Sequence, residues 1–113
     1  MARGIARGDI WLLEFRPPDK RRPVVVLTRE GVLPFLRWVT VAPITTTIRD
    51  LPTEVRLGIG NGLKVPSVVN LDQVQTVEKD RLHQWLGQLD TSTMRDVCAA
   101  LATALGCDVT ETP

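Results

Sequence analysis

The 113-residue chain offers few side chains of the kinds that hold a metal or shuttle protons. Its single histidine, His83, has no second histidine and no carboxylate cluster near it in sequence, so a zinc or acid–base site lacks its components. His83 reads as a surface or sheet-edge residue. Cys98 and Cys107 form neither a close metal-binding pair nor a disulfide framework. The glycines at 58, 60 and 62 follow a short strand and open no helix, unlike a phosphate-binding loop. Nothing resembles the nucleophile elbow of a serine hydrolase. An enzyme built from this chain has to work with Arg, Lys, Thr, Ser or Asp.

Such a set suits phosphate. The planar fork of arginine holds two phosphate oxygens at once, and threonine adds one donor. Cleavage of RNA fits these tools, because the 2′-hydroxyl can attack its own phosphate without a metal or an external nucleophile. The protein then has to orient the phosphate, stabilise charge on its oxygens and move protons. The net charge of +1 hides an asymmetry in this respect. Residues 1–50 carry nine Lys/Arg against five acids, and the remainder five against eight. A basic half attracts polyanions locally, although charge scattered over solvated loops gives the same composition.

The elements that must position these groups are mainly strands. Asp9–Phe15 is an apolar strand stopped by Pro17-Pro18-Asp19, which removes two donors and favours a turn. Pro23–Thr28 is a continuous β-branched run, the pattern of a strand covered on both faces. After a connector at Gly31–Pro34, Leu36–Ala42 reads as a third strand ended by Pro43, and Glu54–Leu57 as a short fourth. Ser67–Gln75 is a fifth strand whose apolar phase shifts between Leu71 and Val74, as a bulge or sharp bend requires. Glu78–Leu82 suggests one helical turn and Gln84–Gly87 a last short strand. Met94, Val97, Cys98, Leu101, Ala102 and Leu105 then form one helical stripe, with N-cap candidates at Asp90–Ser92 and a stop at Gly106. On that stripe Cys98 reads as a small buried hydrophobe. The expectation is a single domain over 1–113, mainly β with a C-terminal α-helix. About five to six short strands and one long helix make a small SH3-like barrel, with residues 1–6 and 107–113 as flexible ends.

At five places the chain resembles the MazF/PemK family of toxin ribonucleases, closest to its actinobacterial branch. They are Arg7-Gly8-Asp9-Ile10-Trp11, Arg21-Arg22-Pro23-Val24-Val25-Val26, Val41-Ala42-Pro43-Ile44-Thr45, Leu51-Pro52-Thr53-Glu54-Val55 and Ser67–Val74. Their order and spacing over residues 7–106 carry the resemblance. It implies a barrel of the CcdB/MazF type, a homodimer, and metal-independent, sequence-specific cleavage of single-stranded RNA. It further implies control by a cognate antitoxin whose C-terminal segment lies across the RNA groove. No cofactor is implied. The family's catalytic arginine matches Arg22, immediately before the proline, and its threonine matches Thr45. Arg22 is then a phosphate clamp with proton donation to the leaving oxygen as a second role, and Thr45 holds a non-bridging oxygen.

This chain departs from the family in its first loop, shortened to Arg16-Pro17-Pro18-Asp19-Lys20-Arg21 where many members carry a longer acidic segment. Asp19 is either the replacement for that acid or an ordinary turn residue, so no general base is assigned. Arg16, Lys20 and Arg21 stand as rim contacts for RNA, with Thr46 beside Thr45. Asn70, Asp72 and Gln73 are candidates for reading base edges, Asn70 equally for making a bulge. Trp38 either stacks a base or fills a barrel position; Trp11 is core, and Trp85 is packed or at a dimer edge. Two other classes remain open, a gyrase-targeting toxin of the CcdB type and a non-catalytic SH3-like binding module. The tail from Cys107 to Pro113 lacks the tryptophan of the gyrase toxins. With no apolar run near the roughly 20 residues of a membrane span and no apolar stretch behind Arg3 and Arg7, a cytoplasmic protein is expected.

Overall fold

A computed structural model of the chain describes residues 4–14 and 20–107. Its organising strand is β2 (Arg22–Val26), the β-branched run, and both of its faces are covered as the sequence requires. Val25 and Leu27 point into one core with Ile10, Ala42, Ile44, Val69, Leu71 and the helix residues Val97 and Ala100. Val24 and Val26 point into a second core with Trp11, Leu13, Val39, Val41 and Val77. Leu13 has no exposed surface, and truncating such a residue to alanine costs about 2–5 kcal/mol.

Around β2 the chain builds one bent antiparallel sheet. β1 (Asp9–Leu13) and β3 (Trp38–Thr45) flank it, followed outward by β4 (Glu54–Leu57), β5 (Ser67–Asn70), β6 (Gln75–Glu78) and β7 (Leu82–Gln88). The spatial order is β4-β5-β3-β2-β1-β7, with β6 also on β3. No ladder joins β4 to β7 among the described residues, so the SH3-like barrel is an incompletely closed one. Short 3-10 turns at Glu30–Phe35 and Lys79–Arg81 occupy the expected connector and helical turn.

Two strand boundaries differ from expectation for one shared reason. Strand β3 does not stop at Pro43 but continues to Thr45. It pairs β6 through Trp38–Val41 and β5 through Ile44–Thr45, so Ala42 and Pro43 lie at the changeover. A missing N–H is tolerated there, while the other edge of Pro43 still pairs with Val24. Facing that changeover, the expected fifth strand breaks into β5 and β6 at a 3-10 turn, Leu71–Gln73. The side chain of Asn70 accepts from the Asp72 backbone N–H at 2.9 Å, and the Thr53 hydroxyl donates to the Asp72 carboxylate at 2.6 Å. The shifted apolar phase is therefore a turn, and the strands among the described residues number seven.

Helix α1 (Thr91–Leu105) starts at Asp90, whose carboxylate accepts from the Thr93 N–H at 2.7 Å, and ends at Gly106 in the left-handed region. Its buried face is rotated from the expected stripe. Val97 and Ala100 are buried, with Met94, Leu101 and Ala104 packed beside them. Cys98 and Leu105 are exposed, which corrects the reading of Cys98 as a core residue. Small alanines at 100 and 104 let the helix approach the sheet on that side, so the larger side chains turn outward. No helix among the described residues is long and apolar enough to cross a membrane.

Candidate active site

The start of β2 and the end of β3 meet in space because of their register. Val24 pairs with Pro43 and Val25 with Ala42; carried two residues further, the same register sets Arg22 opposite Thr45. On the other side Ile44 pairs with Val69, which brings Pro43 toward Asn70. These strand ends enclose a cleft of about 140 Å³ lined by Arg22, Pro43, Ile44, Thr45, Thr47, Arg49, Asn70 and Gln73.

Among the described residues, every polar side chain in this lining is a cation, a hydroxyl or an amide, and none is a carboxylate. Arg22 is exposed, and its guanidinium makes no hydrogen bond or ion pair among the described residues. The guanidinium of its neighbour Arg21 instead lies 3.6 Å from Glu14 on the far side of the strand start, an exposed pair worth little in stability. The Thr45 hydroxyl oxygen accepts from the Thr47 backbone N–H at 3.1 Å. That bond fixes the oxygen while leaving its proton free to donate into the cleft. A guanidinium is effectively always protonated, so the cleft presents fixed positive charge and a hydroxyl donor to an anion.

Of the sequence candidates, Arg22, Thr45, Asn70 and Gln73 come together here. Asn70 is buried, and its carbonyl oxygen serves the turn, which leaves its amide N–H groups for the cleft. Asp72 turns toward Thr53. Thr46 and Lys20 are exposed without lining the cleft. Arg16 and Asp19 lie outside the described residues. Trp38 is 51% exposed, which corrects its reading as a barrel-filling residue, and it stands at the opposite end of β3 from Thr45. Over the seven intervening steps that is roughly 23 Å, so it does not share the cleft. His83 is exposed on β7, away from this lining. Among the described residues no three His, Cys, Asp or Glu side chains gather as metal ligands would.

Sequence reasoning missed Thr47 and Arg49. Both follow Thr45 on the loop to β4, and their direction depends on contacts that no local pattern displays. The Glu54 carboxylate accepts from the backbone N–H groups of Arg49 at 3.0 Å and Leu51 at 3.4 Å. Asp50 adopts a positive φ of 56° and pairs through its carboxylate with Arg56. No pattern in the sequence signals these contacts.

The strand ends of this bent antiparallel sheet thus form a cleft lined, among the described residues, by two arginines, two hydroxyls and two amides. The chain matches the family of PemK-like, MazF-like toxins of type II toxin–antitoxin systems over residues 6–105, and it belongs to that family. Among its relatives it is 46% identical over 104 residues to a probable endoribonuclease MazF5 of Mycobacterium tuberculosis, covering 90% of this chain and 94% of the relative. It is 48% identical over 90 residues to the endoribonuclease MazF3 of the same organism, covering 80% and 87%. Among solved structures, the M. tuberculosis toxin MazF-mt6 superposes with a TM-score of 0.81 at 44% identity, covering 88% of this chain and 98% of that one. A mycobacterial endoribonuclease in complex with its cognate antitoxin superposes with a TM-score of 0.81 at 29% identity, covering 97% and 100%.

Proposed function

We propose that this MazF-type toxin endoribonuclease cuts single-stranded RNA at specific sequences, without a metal, through the cleft between β2 and β3. The observation that carries the reading is the juxtaposition of Arg22, whose guanidinium has no partner among the described residues, with a Thr45 hydroxyl whose oxygen is already fixed, in a lining whose described residues include no carboxylate. A phosphate held there meets one bidentate cation and one neutral donor. The 2′-hydroxyl gives up its proton to solvent as its oxygen bonds to the adjacent phosphorus, and the P–O5′ bond breaks as the 5′-oxygen takes up a proton, leaving a 2′,3′-cyclic phosphate and a 5′-hydroxyl. Arg22 clamps the phosphate and stabilises the added charge of the phosphorane, with proton donation to the departing oxygen as its second role. Thr45 holds a non-bridging oxygen. The amides of Asn70 and Gln73 supply base-edge contacts beside the cut.

The same reading makes the chain a single-domain cytoplasmic toxin that acts as a homodimer and is silenced by a cognate antitoxin; the antitoxin complex of its mycobacterial neighbour supports the last of these. The deciding experiment incubates wild type and Arg22→Ala with a long unstructured RNA in EDTA. Wild type should cut it at a recurring motif, and Arg22→Ala should be slower by about 10²–10³, the usual loss for one oxyanion contact. Intact RNA with the wild-type protein, alongside a response in a gyrase assay, would transfer the chain to the gyrase-directed class.

A further inference from the structure

Beyond the Arg22–Thr45 pair, the cleft holds a second cation. We propose that Arg49 is a dedicated phosphate contact that holds a backbone phosphate neighbouring the scissile one, and that Glu54 is its positioning residue. The inference rests on the ribonuclease reading of the cleft and adds a subsite to it.

Arg49 is exposed, lines the cleft, and its guanidinium has no partner among the described residues. Two other exposed arginines, one beside its loop and one at the far end of β3, are engaged: Arg56 with Asp50, and Arg37 with Glu78 at 2.9 Å. The Arg49 backbone is not free to wander. Its N–H is held by Glu54, the next residue has a left-handed backbone, and the Glu54 N–H returns to the Leu51 carbonyl at 3.0 Å. A loop fixed this firmly around an unpaired cation has lost its ordering entropy before any ligand arrives. Arg22 stands on the rigid strand next to the fixed Thr45 oxygen, so the reacting phosphate belongs there. Arg49, on the loop, meets the strand of RNA as it passes the cleft. A contact with a non-reacting phosphate is equally strong in ground and transition states, so it governs binding and not the chemical step.

The test uses a fluorescent single-stranded DNA of the same sequence as the RNA substrate, which carries the phosphates but has no 2′-hydroxyl to react. One lost phosphate contact on a single strand changes affinity as roughly the 0.7 power of salt concentration. Arg49→Gln should therefore weaken DNA binding about fourfold near 0.15 M salt and about eightfold near 0.05 M salt, while kcat on saturating RNA stays near wild type. Arg49→Lys keeps the charge and should keep the wild-type salt slope. Glu54→Ala should weaken binding with that slope retained, and Glu54→Gln, whose amide oxygen still accepts the two N–H groups, should restore it. An Arg49→Gln protein with wild-type affinity and slope overturns the proposal. So does one that loses kcat while binding DNA normally, since Arg49 would then act on the reacting phosphate. Failure of the wild-type protein to cut RNA sinks the ribonuclease reading instead, and the DNA arm still reports on Arg49.

Discussion

Two arginine-led segments open adjacent strands, and they have opposite fates. Arg7-Gly8-Asp9 leads into β1 and is consumed by the fold. Asp9 is 1% exposed, and its carboxylate accepts from the Ala6 N–H at 2.8 Å, the Trp11 indole at 3.2 Å and the Gln88 amide at 3.3 Å. Arg7 donates to the Leu27 carbonyl and, at 2.9 Å, to the Cys98 sulfur. Gly8 between them has a φ of 87° and sits 3.3 Å from the Met94 side chain at its would-be Cβ, so a side chain there would be both strained and crowded. Arg21-Arg22-Pro23 leads into β2, and there Arg22 has no partner among the described residues. Both segments are part of the family resemblance. Their hydrogen bonds separate a motif that welds the N-terminal strand to the helix from one that waits for a ligand.

The sharpest way to break this comparison is to mutate one residue from each segment and read both stability and activity. Arg22→Ala should lose about 10²–10³ in cleavage rate, some 3–4 kcal/mol of transition-state stabilisation, with an unchanged Tm. Asp9→Ala takes the acceptor from the buried Trp11 indole and the half-buried Ala6 N–H as well as from the exposed Gln88 amide, and should cost about 3 kcal/mol of stability, read as a lower urea midpoint. Its remaining folded fraction should cut RNA at the wild-type rate. If Arg22→Ala melts early or Asp9→Ala loses specific activity while folded, the division between welded and waiting arginines is wrong.

A smaller effect refines the cleft itself. Thr45→Val removes one neutral hydrogen bond to phosphate, about 1–1.5 kcal/mol, so the rate should fall roughly tenfold. Thr45→Ser keeps the hydroxyl and should recover most of that loss. A Thr45→Ser protein no better than Thr45→Val would mean that the hydroxyl is not the group in use.

How much of this was legible beforehand follows from the range of each interaction. The two-faced run Val24–Leu27 displays its environment in composition alone, because every one of its residues is apolar and they alternate between the two cores. The short β4 and the helix start are equally local. Pro43 misleads, because whether a proline ends a strand depends on the strand that lies beside it, and β5 takes over that edge only through the pairing of Ile44 with Val69, 25 residues further on. The helix face was misplaced for a related reason: small Ala100 buries where large Leu105 does not, since the sheet's curvature sets the distance of approach. In the site, Arg22 and Thr45 were reachable through resemblance, whereas Arg49 is aimed by Glu54 and the φ of Asp50, neither of which is a pattern in the chain.

The smallest expected effect tests the weld from its helical end. Asp90 caps α1 directly after Leu89, whose N–H is held by the Gly8 carbonyl at 2.9 Å, so the cap and the Arg7-Gly8-Asp9 segment share one junction. The backbone and side-chain hydrogen bonds from Thr93 hold the Asp90 carboxyl below its ordinary value. A carboxylate with a depressed folded value contributes stability that is complete above the unfolded value, about pH 4, and is lost as pH falls through the folded one. Asp90→Asn caps a helix nearly as well but cannot titrate. The Tm difference between wild type and Asp90→Asn should therefore be constant from neutral pH down to about pH 4, and should move in favour of Asp90→Asn below it. Protonation of the other carboxylates is common to both proteins and cancels in the difference. A difference that stays flat through acid would mean that the Thr93 bonds do not favour the charged cap, and that the helix end of the junction is held by Leu89 and Gly8 alone.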